Sequence, residues 1–204
     1  NDGSSTTSTS SEATFTVTVV PTNDAPVIRL NGVDTGTYTA TYTEGSGSQV
    51  AGDKVSFTSS AANCLTDADN TSLTSLTVSI KKIQVVSGDR LWSGTTPIDL
   101  NAAADSFGTV TAGQTTFKWT ITDAMEGGIN KRKVTFINNV GSTASTDDFK
   151  ALLASLQFDS TSDAPGTIRE FTVEASDGST ANGTSNSAQF TVTVVPTNDA
   201  PLIK

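Results

Sequence analysis

Along most of this chain apolar and polar residues alternate one by one, the period of a strand that buries a single face. Phe190, Val192 and Val194 alternate with Thr191 and Thr193, and Phe171, Val173 and Ala175 with Thr172 and Glu174. Phe117, Trp119 and Ile121 alternate with Lys118 and Thr120, Leu76, Val78 and Ile80 with Thr77 and Ser79, and Tyr38, Ala40 and Tyr42 with Thr37, Thr39 and Thr41. Residues 55–57 and 134–136 read as further short strands. The parity slips after Ile80, and Ile83 and Val85 resume on the other phase. That predicts a bulge near Lys81 and Lys82 with the strand continuing beyond it. Strands apolar on one face only are those of antiparallel sheets covered on one side, so the pattern predicts an all-β sandwich.

One segment has a different period. Phe149, Leu152, Leu153 and Leu156 stand at i, i+3, i+4 and i+7, a helical stripe. Ser145 offers an N-cap, and Asp147 and Asp148 fall in the first turn, where the helix dipole favours acidic groups. A short helix at about 146–156 is predicted, lying across one end or edge of the sandwich.

The chain contains a repeated seam. Residues 15–26 read FTVTVVPTNDAP, and residues 190–201 read the same. Across windows 1–28 and 176–203, 19 of 28 positions are identical at an offset of 175 residues. This divides the chain into the C-terminal strand of a preceding repeat (1–22), a linker (23–26), one complete repeat (27–195) and the start of the next linker (196–204). The chain opens on Asn1-Asp2-Gly3 and reads as a piece of a longer polypeptide with tandem units. A period of 175 residues fits self-contained beads rather than turns of a solenoid.

Composition narrows the chemistry. Lys and Arg number 12 against 21 Asp and Glu, a formal charge of −9, which opposes binding to nucleic acid or an anionic membrane. There is no histidine, which removes Ser-His-Asp and Cys-His catalysis and His-based zinc sites. Cys64 stands alone, so there is no intrachain disulfide and no thiolate cage. No apolar run is long enough to insert directly into a bilayer. Ser and Thr make up 61 of 204 residues, a polar surface of short hydroxyls suited to β structure.

Four small acidic motifs lie at strand ends. Asn23-Asp24-Ala25-Pro26 follows a strand, and Pro26 forces Ala25 out of the α region, which makes the segment extended with its oxygens available. Asp67-Ala68-Asp69 places two carboxylates at i and i+2 of a loop, the kind of hard oxygen donors that Ca²⁺ takes. Asp177-Gly178 ends the penultimate strand, and Glu44-Gly45 ends the Thr/Tyr strand. Each alone also fits an ordinary solvated turn.

Their order along the chain resembles the cadherin-like tandem repeats of large bacterial surface adhesins. Glu44, then Asp67 and Asp69, then Asp177-Gly178, then Asn198-Asp199-Ala200-Pro201 follow that family's pattern. Residues 149–161 followed by 168–177 are similar to the helix-plus-strand insert of the long bacterial variety. The resemblance implies a cadherin/immunoglobulin-like antiparallel Greek-key sandwich with a short helix in an insert. It implies Ca²⁺ at the junction between adjacent repeats of the same chain. Asn23, Asp24 and the Ala25 carbonyl would then meet Asp67, Asp69 and Asp177, while Glu44, Asn198 and Asp199 await the next repeat. Pro21 and Pro196 stand where the family linker has an acidic residue, so one or two ions per junction are expected.

The function implied is a calcium-rigidified extender that projects a binding tip from the bacterial cell surface, outside the cell. The alternative is a repeat that itself mediates homophilic or carbohydrate-binding adhesion. Trp92 is the aromatic residue to test for sugar stacking, since Trp119 alternates into the core. A glycosidase would need a carboxylate pair, and Asp105, Asp123, Glu126, Asp159 and Asp163 offer no pair marked by its context. An enzyme is therefore not expected, and the adhesion ligand is not specified by the sequence.

Overall fold

The computed structural model describes residues 12–198. Its strands are β1 (Val27–Ile28), β2 (Tyr38–Thr43), β3 (Val55–Ser56), β4 (Leu65–Thr66), β5 (Ser72–Leu73), β6 (Ser75–Lys81), β7 (Asp89–Ser93) and β8 (Thr96–Asp99). Then come β9 (Phe107–Ala112), β10 (Thr115–Glu126), β11 (Ile129–Asn138), β12 (Ala144–Ser145), the helix α1 (Thr146–Ser155), β13 (Leu156–Ser160), β14 (Ile168–Ser176) and β15 (Ala188–Val195). A seven-stranded sheet runs β2-β15-β14-β6-β11-β10-β9, and a four-stranded sheet runs β3-β13-β7-β8. The short pairs β1-β4 and β5-β12 complete the set. Every pairing is antiparallel except β15 with β2, which run side by side in the same direction.

The alternating side chains meet between the two sheets. Phe57, just past β3, lies 5.0 Å from Phe171 and 4.5 Å from Phe190 between ring centres, and Phe158 lies 5.5 Å from Phe171. These rings are fully buried, and burying each contributes about 1.5–3 kcal/mol relative to exposure. One core holds the inward faces of both sheets, and its buried members run from Ile28 to Val194. Cys64 sits in it, and burial pushes its thiol up to about 11, which keeps it an unreactive protonated group.

The helix forms where the stripe predicts. The Ser145 hydroxyl accepts from the Asp148 amide at 3.0 Å, and Phe149, Leu152 and Leu153 are buried. α1 packs against β4 and β9, with Phe149 4.8 Å from Phe117. Leu156 is also buried, but it begins β13 instead of ending the helix.

The predicted bulge after Ile80 is not there. β6 stops at Lys81, and Lys82–Gln84 form a 3-10 turn. Side chains take over the pairing with β14: Gln84 Oε1 accepts from the Glu170 amide at 3.2 Å, while Lys81 Nζ and Gln84 Nε2 both donate to Glu170 Oε2. Ile83 consequently points into solvent, 91% exposed, and no strand resumes through Val85.

Residues 12–26 form no strand, although residues 15–20 are identical in sequence to 190–195 of β15. Phe15 and Val19 are 87% and 82% exposed, whereas the equivalent Phe190 and Val194 are 0% and 3% exposed. Sequence alone cannot hold this segment as a strand; β15 is held by β14 and β2 on either side.

Candidate functional site

The linker enters at the end of the sandwich where β14 finishes and β6 begins, here termed the incoming end. Pro26 is buried, and β1 follows at once. Asn186 brackets that first strand, its Oδ1 accepting from the Ile28 amide at 2.8 Å and its Nδ2 donating to the Ile28 carbonyl at 3.0 Å. The Asn23-Asp24 pair is thereby delivered against two loops.

Asn23 Nδ2 donates to Asp177 Oδ2 at 2.8 Å and to the Asn182 carbonyl at 3.1 Å. The Asp24 amide donates to Asp69 Oδ2 at 3.1 Å. Asn70 Nδ2 reaches Asn23 Oδ1 at 2.9 Å and Asp177 Oδ2 at 3.1 Å, and Asn182 Nδ2 donates to the Asn23 carbonyl at 3.2 Å. The structure thus brings Asn23 and Asp24 against Asp69, Asn70 and Asp177, up to 154 residues apart along the chain, while Asp67 adjoins them through the amides of Asp69 and Asn70 in its own loop. Ala25, half-buried, lies between the bonded Asp24 and the buried Pro26.

Asp67 and Asp69 occupy a loop that turns on itself. The amides of Asp69 and Asn70 both donate to Asp67 Oδ1, at 3.3 and 3.1 Å. Asp67 Oδ2 is buried and has no hydrogen-bond partner. Burial pushes the Asp67 carboxyl above its ordinary range, and the neighbouring Asp69 carboxylate adds to that, while the Asn70 and Asp69 amides pull the other way. Among the ion pairs of the described residues none involves Asp24, Asp67, Asp69 or Asp177. The hydrogen bonds to the Asp67, Asp69 and Asp177 carboxylates come from neutral amides.

The donors here are all oxygens of the hard type that a divalent cation such as Ca²⁺ takes, and the partnerless Asp67 Oδ2 fits that chemistry. Among the described residues, though, no three acidic, thiol or imidazole side chains converge closely enough to hold a metal by themselves. A cation at this joint would need asparagine or backbone oxygens as well as carboxylates.

Glu44 and Asn198 lie at the opposite, outgoing end, since β2 and β15 both finish there. Glu44 is 5% exposed and holds the departing chain: its Oε2 accepts from the Thr197 amide at 2.9 Å, and its own amide donates to the Val195 carbonyl. Asn198 is exposed, and Asp199 lies outside the described residues.

Sequence reasoning passed over Asn70 and Asn182, which bond the linker at Asn23, and Asn186, which brackets β1. The signals were present: Asn70 directly follows the D-x-D pair, and Asn182 precedes a glycine in a turn, with a positive φ of 54°. The other acidic candidates are engaged elsewhere. Asp123 is paired with Arg132 and Lys82, Glu126 with Lys131 and Lys133, and Asp159 with Arg90. Asp163 accepts from Ser48 and the Gln49 amide, and the Asp105 amide caps the Ile121 carbonyl from a left-handed turn. Trp92 has a face covered by Lys54, whose Nζ lies 3.3 Å from the ring centre, which leaves that face closed to a stacked sugar.

Comparison with protein-family models, with curated proteins and with solved structures gives no match to this chain.

Proposed function

We propose that residues 27–195 are one bead of a tandem array, joined to its neighbours through a linker that Ca²⁺ stiffens. In this reading the chain is a cadherin-like extender of a bacterial cell-surface adhesin, working outside the cell, and its role is mechanical rather than catalytic. The observation that carries the reading is the bonding of Asn23 and Asp24, from the repeated seam, to Asp69, Asn70 and Asp177 of the following bead. The side-by-side placing of the distant strands β2 and β15 also suits a Greek-key sandwich.

Asn23, Asp24, Asp67, Asp69 and Asp177 would hold the ion, with Asn70 positioning the linker against Asp177. A bound Ca²⁺ supplies the positive charge that this carboxylate cluster lacks. Asn182 and Asn186 fix the backbone on either side of the joint, so the hinge has little slack before any ion arrives. At tenfold excess over its Kd a bound ion adds about 1.4 kcal/mol to the docked state. That is enough to bias a hinge without being needed to fold the core.

Calorimetric titration of the chain with Ca²⁺, beside the Asp67→Ala/Asp69→Ala variant, tests this. Saturable heat in the parent chain that disappears in the variant is the expected result. Indistinguishable heats from the two proteins would overturn the assignment of the joint.

A further inference from the structure

The β10–β11 hairpin outruns the sheet that supports it. β6 pairs with β11 only as far as Lys81 opposite Lys131, and then leaves in the 3-10 turn. β10 and β11 continue through Met125–Asn130 and Glu126–Ile129 pairs to a tight turn at Gly127 and Gly128, both with positive φ. Arg132, Ile80, Phe171 and Phe190 share one cross-strand row. Counting along the strands from that row puts Ile129 level with Thr193 and the hairpin turn level with the end of β15. The tip therefore reaches the outgoing end, three strands across the sheet from the point where the chain leaves β15 for the next linker.

This projection is braced. Arg132, 5% exposed, donates from Nε and Nη2 to Asp123 at 2.8 and 3.0 Å, and from Nη1 to the Leu100 and Ala102 carbonyls. Lys82 closes on Asp123 from the 3-10 turn at 2.6 Å, and Lys131 and Lys133 both hold Glu126. Yet the stiffened tip carries uncovered apolar groups on both of its faces: Met125 is 68% exposed on the Asp123 side, Ile129 is 43% exposed on the Glu126 side, and Ile83 in the adjoining 3-10 turn is 91% exposed. Single exposed apolar residues occur elsewhere, as at Val33, Phe107 and Val140; what sets these three apart is their place on a braced hairpin tip at the outgoing end.

Charge indicates what covers it. The hairpin corner gathers Lys81, Lys82, Lys131, Arg132 and Lys133 against the carboxylates Asp123, Glu126 and Glu170, leaving it net positive. The incoming end of the same bead carries Asp24, Asp67, Asp69 and Asp177, none of which has an ion-pair partner among the described residues. Positive outgoing corner and negative incoming face are complementary when beads follow one another. We infer that the β10–β11 tip, through Met125, Ile129 and Ile83, bears on the incoming face of the next copy of the repeat and forms a second contact apart from the linker. This rests on the tandem-array reading but does not require calcium.

The identical seams allow a native-sequence test. A tandem of residues 1–201 followed by 27–204 joins two beads through the chain's own linker, and each bead carries its own core. With Cys64→Ala in both beads, a single Ile129→Cys or Met125→Cys is placed in the leading bead or in the trailing bead, which has no follower. Alkylation rates by iodoacetamide are then compared in EGTA, where the incoming carboxylates keep the negative charge the contact uses, and again with Ca²⁺ present. Labelling at least fivefold slower in the leading bead is the expected result. Rates equal within twofold at both positions would overturn the contact. So would an equal contrast at Phe107→Cys, an exposed control on the sheet's far edge strand. Calcium heats with equal rates would leave the metal joint standing without the hairpin contact, and unequal rates without heats the reverse.

Discussion

Arg169 on β14 and Asp89 on β7 form a fully buried ion pair that ties the two sheets together, with Nε to Oδ2 at 2.6 Å and Nη2 to Oδ1 at 3.1 Å. Both groups make further hydrogen bonds. The Val86 amide donates to Asp89 at 3.0 Å, and the guanidinium also donates to the Pro165 and Ile168 carbonyls. Arg169→Ala strands Asp89 as a buried charge, and a loss of about 3–5 kcal/mol is expected in urea unfolding. Replacing both partners, Arg169→Met with Asp89→Leu, should cost distinctly less than the single change.

Asp123 gives the fold a dependence on acid. Its hydrogen bonds from Arg132 outweigh the burial that opposes them and, with Lys82, hold its carboxyl down to about 2. A carboxylate with a lowered pKa stabilises the fold above its unfolded value, and that contribution is lost as pH falls towards about 2. The size is on the order of 2 kcal/mol. The difference in unfolding free energy between the parent chain and Asp123→Asn should therefore be large at pH 7 and shrink between about pH 4 and pH 2.

The helix is fastened to the β9–β10 turn by one carboxylate. Burial alone would raise Asp148, but the Gln114 amide and the Ser145 and Thr115 hydroxyls hold it below the ordinary range. Gly113 makes this approach possible, with φ of +59° and Asp148 Oδ1 only 2.1 Å from where a Cβ would sit. Gly113→Ala should lower stability by about 1–3 kcal/mol, more than the roughly 1 kcal/mol expected for Ser145→Ala at the cap. Thermal melts of the two variants measure the order.

At the joint, charge and metal should act in opposite directions on one residue. Asp67→Asn removes a buried negative charge beside Asp69, so in EGTA its melting temperature should equal or exceed that of the parent chain. In Ca²⁺ the parent should rise and the variant should not. A variant that rises as much as the parent would count against Asp67 as a ligand.

β6, β14, β15 and the capped helix were legible because their periodicity is undisturbed, whereas the two longest strands, β10 and β11, were read only in part, at 117–121 and 134–136. β7 and β13 were not legible, because they bury polar residues where alternation demands apolar or exposed ones. Asp89 and Ser93 face inward on β7, and Phe158, Asp159 and Ser160 are buried in a row on β13. Asp89 answers Arg169, and Asp159 answers Arg90 at 2.8 Å, partners 80 and 69 residues away that no local pattern reveals. β9 was hidden by Gly108, whose missing side chain makes room for the Trp119 indole, 2.6 Å from where a Cβ would sit. At the linker, the acidic residues stood out by their motif. The amides that clasp them did not, since an asparagine in a loop commonly serves its own turn.

The unequal anchoring of the two terminal strands sets how such a bead answers tension. β15 is locked lengthwise by six register pairs to β14 and six to β2, which must shear together before it slides. β1 is held by two pairs to β4 and the bracket from Asn186. Pulled from both ends in a force-spectroscopy experiment, the bead should first release slack at β1, and only at higher load surrender its core. Single-step rupture with no early extension would contradict this. A fibre of such beads would lengthen slightly under a sudden tug before any of its folded mass came undone.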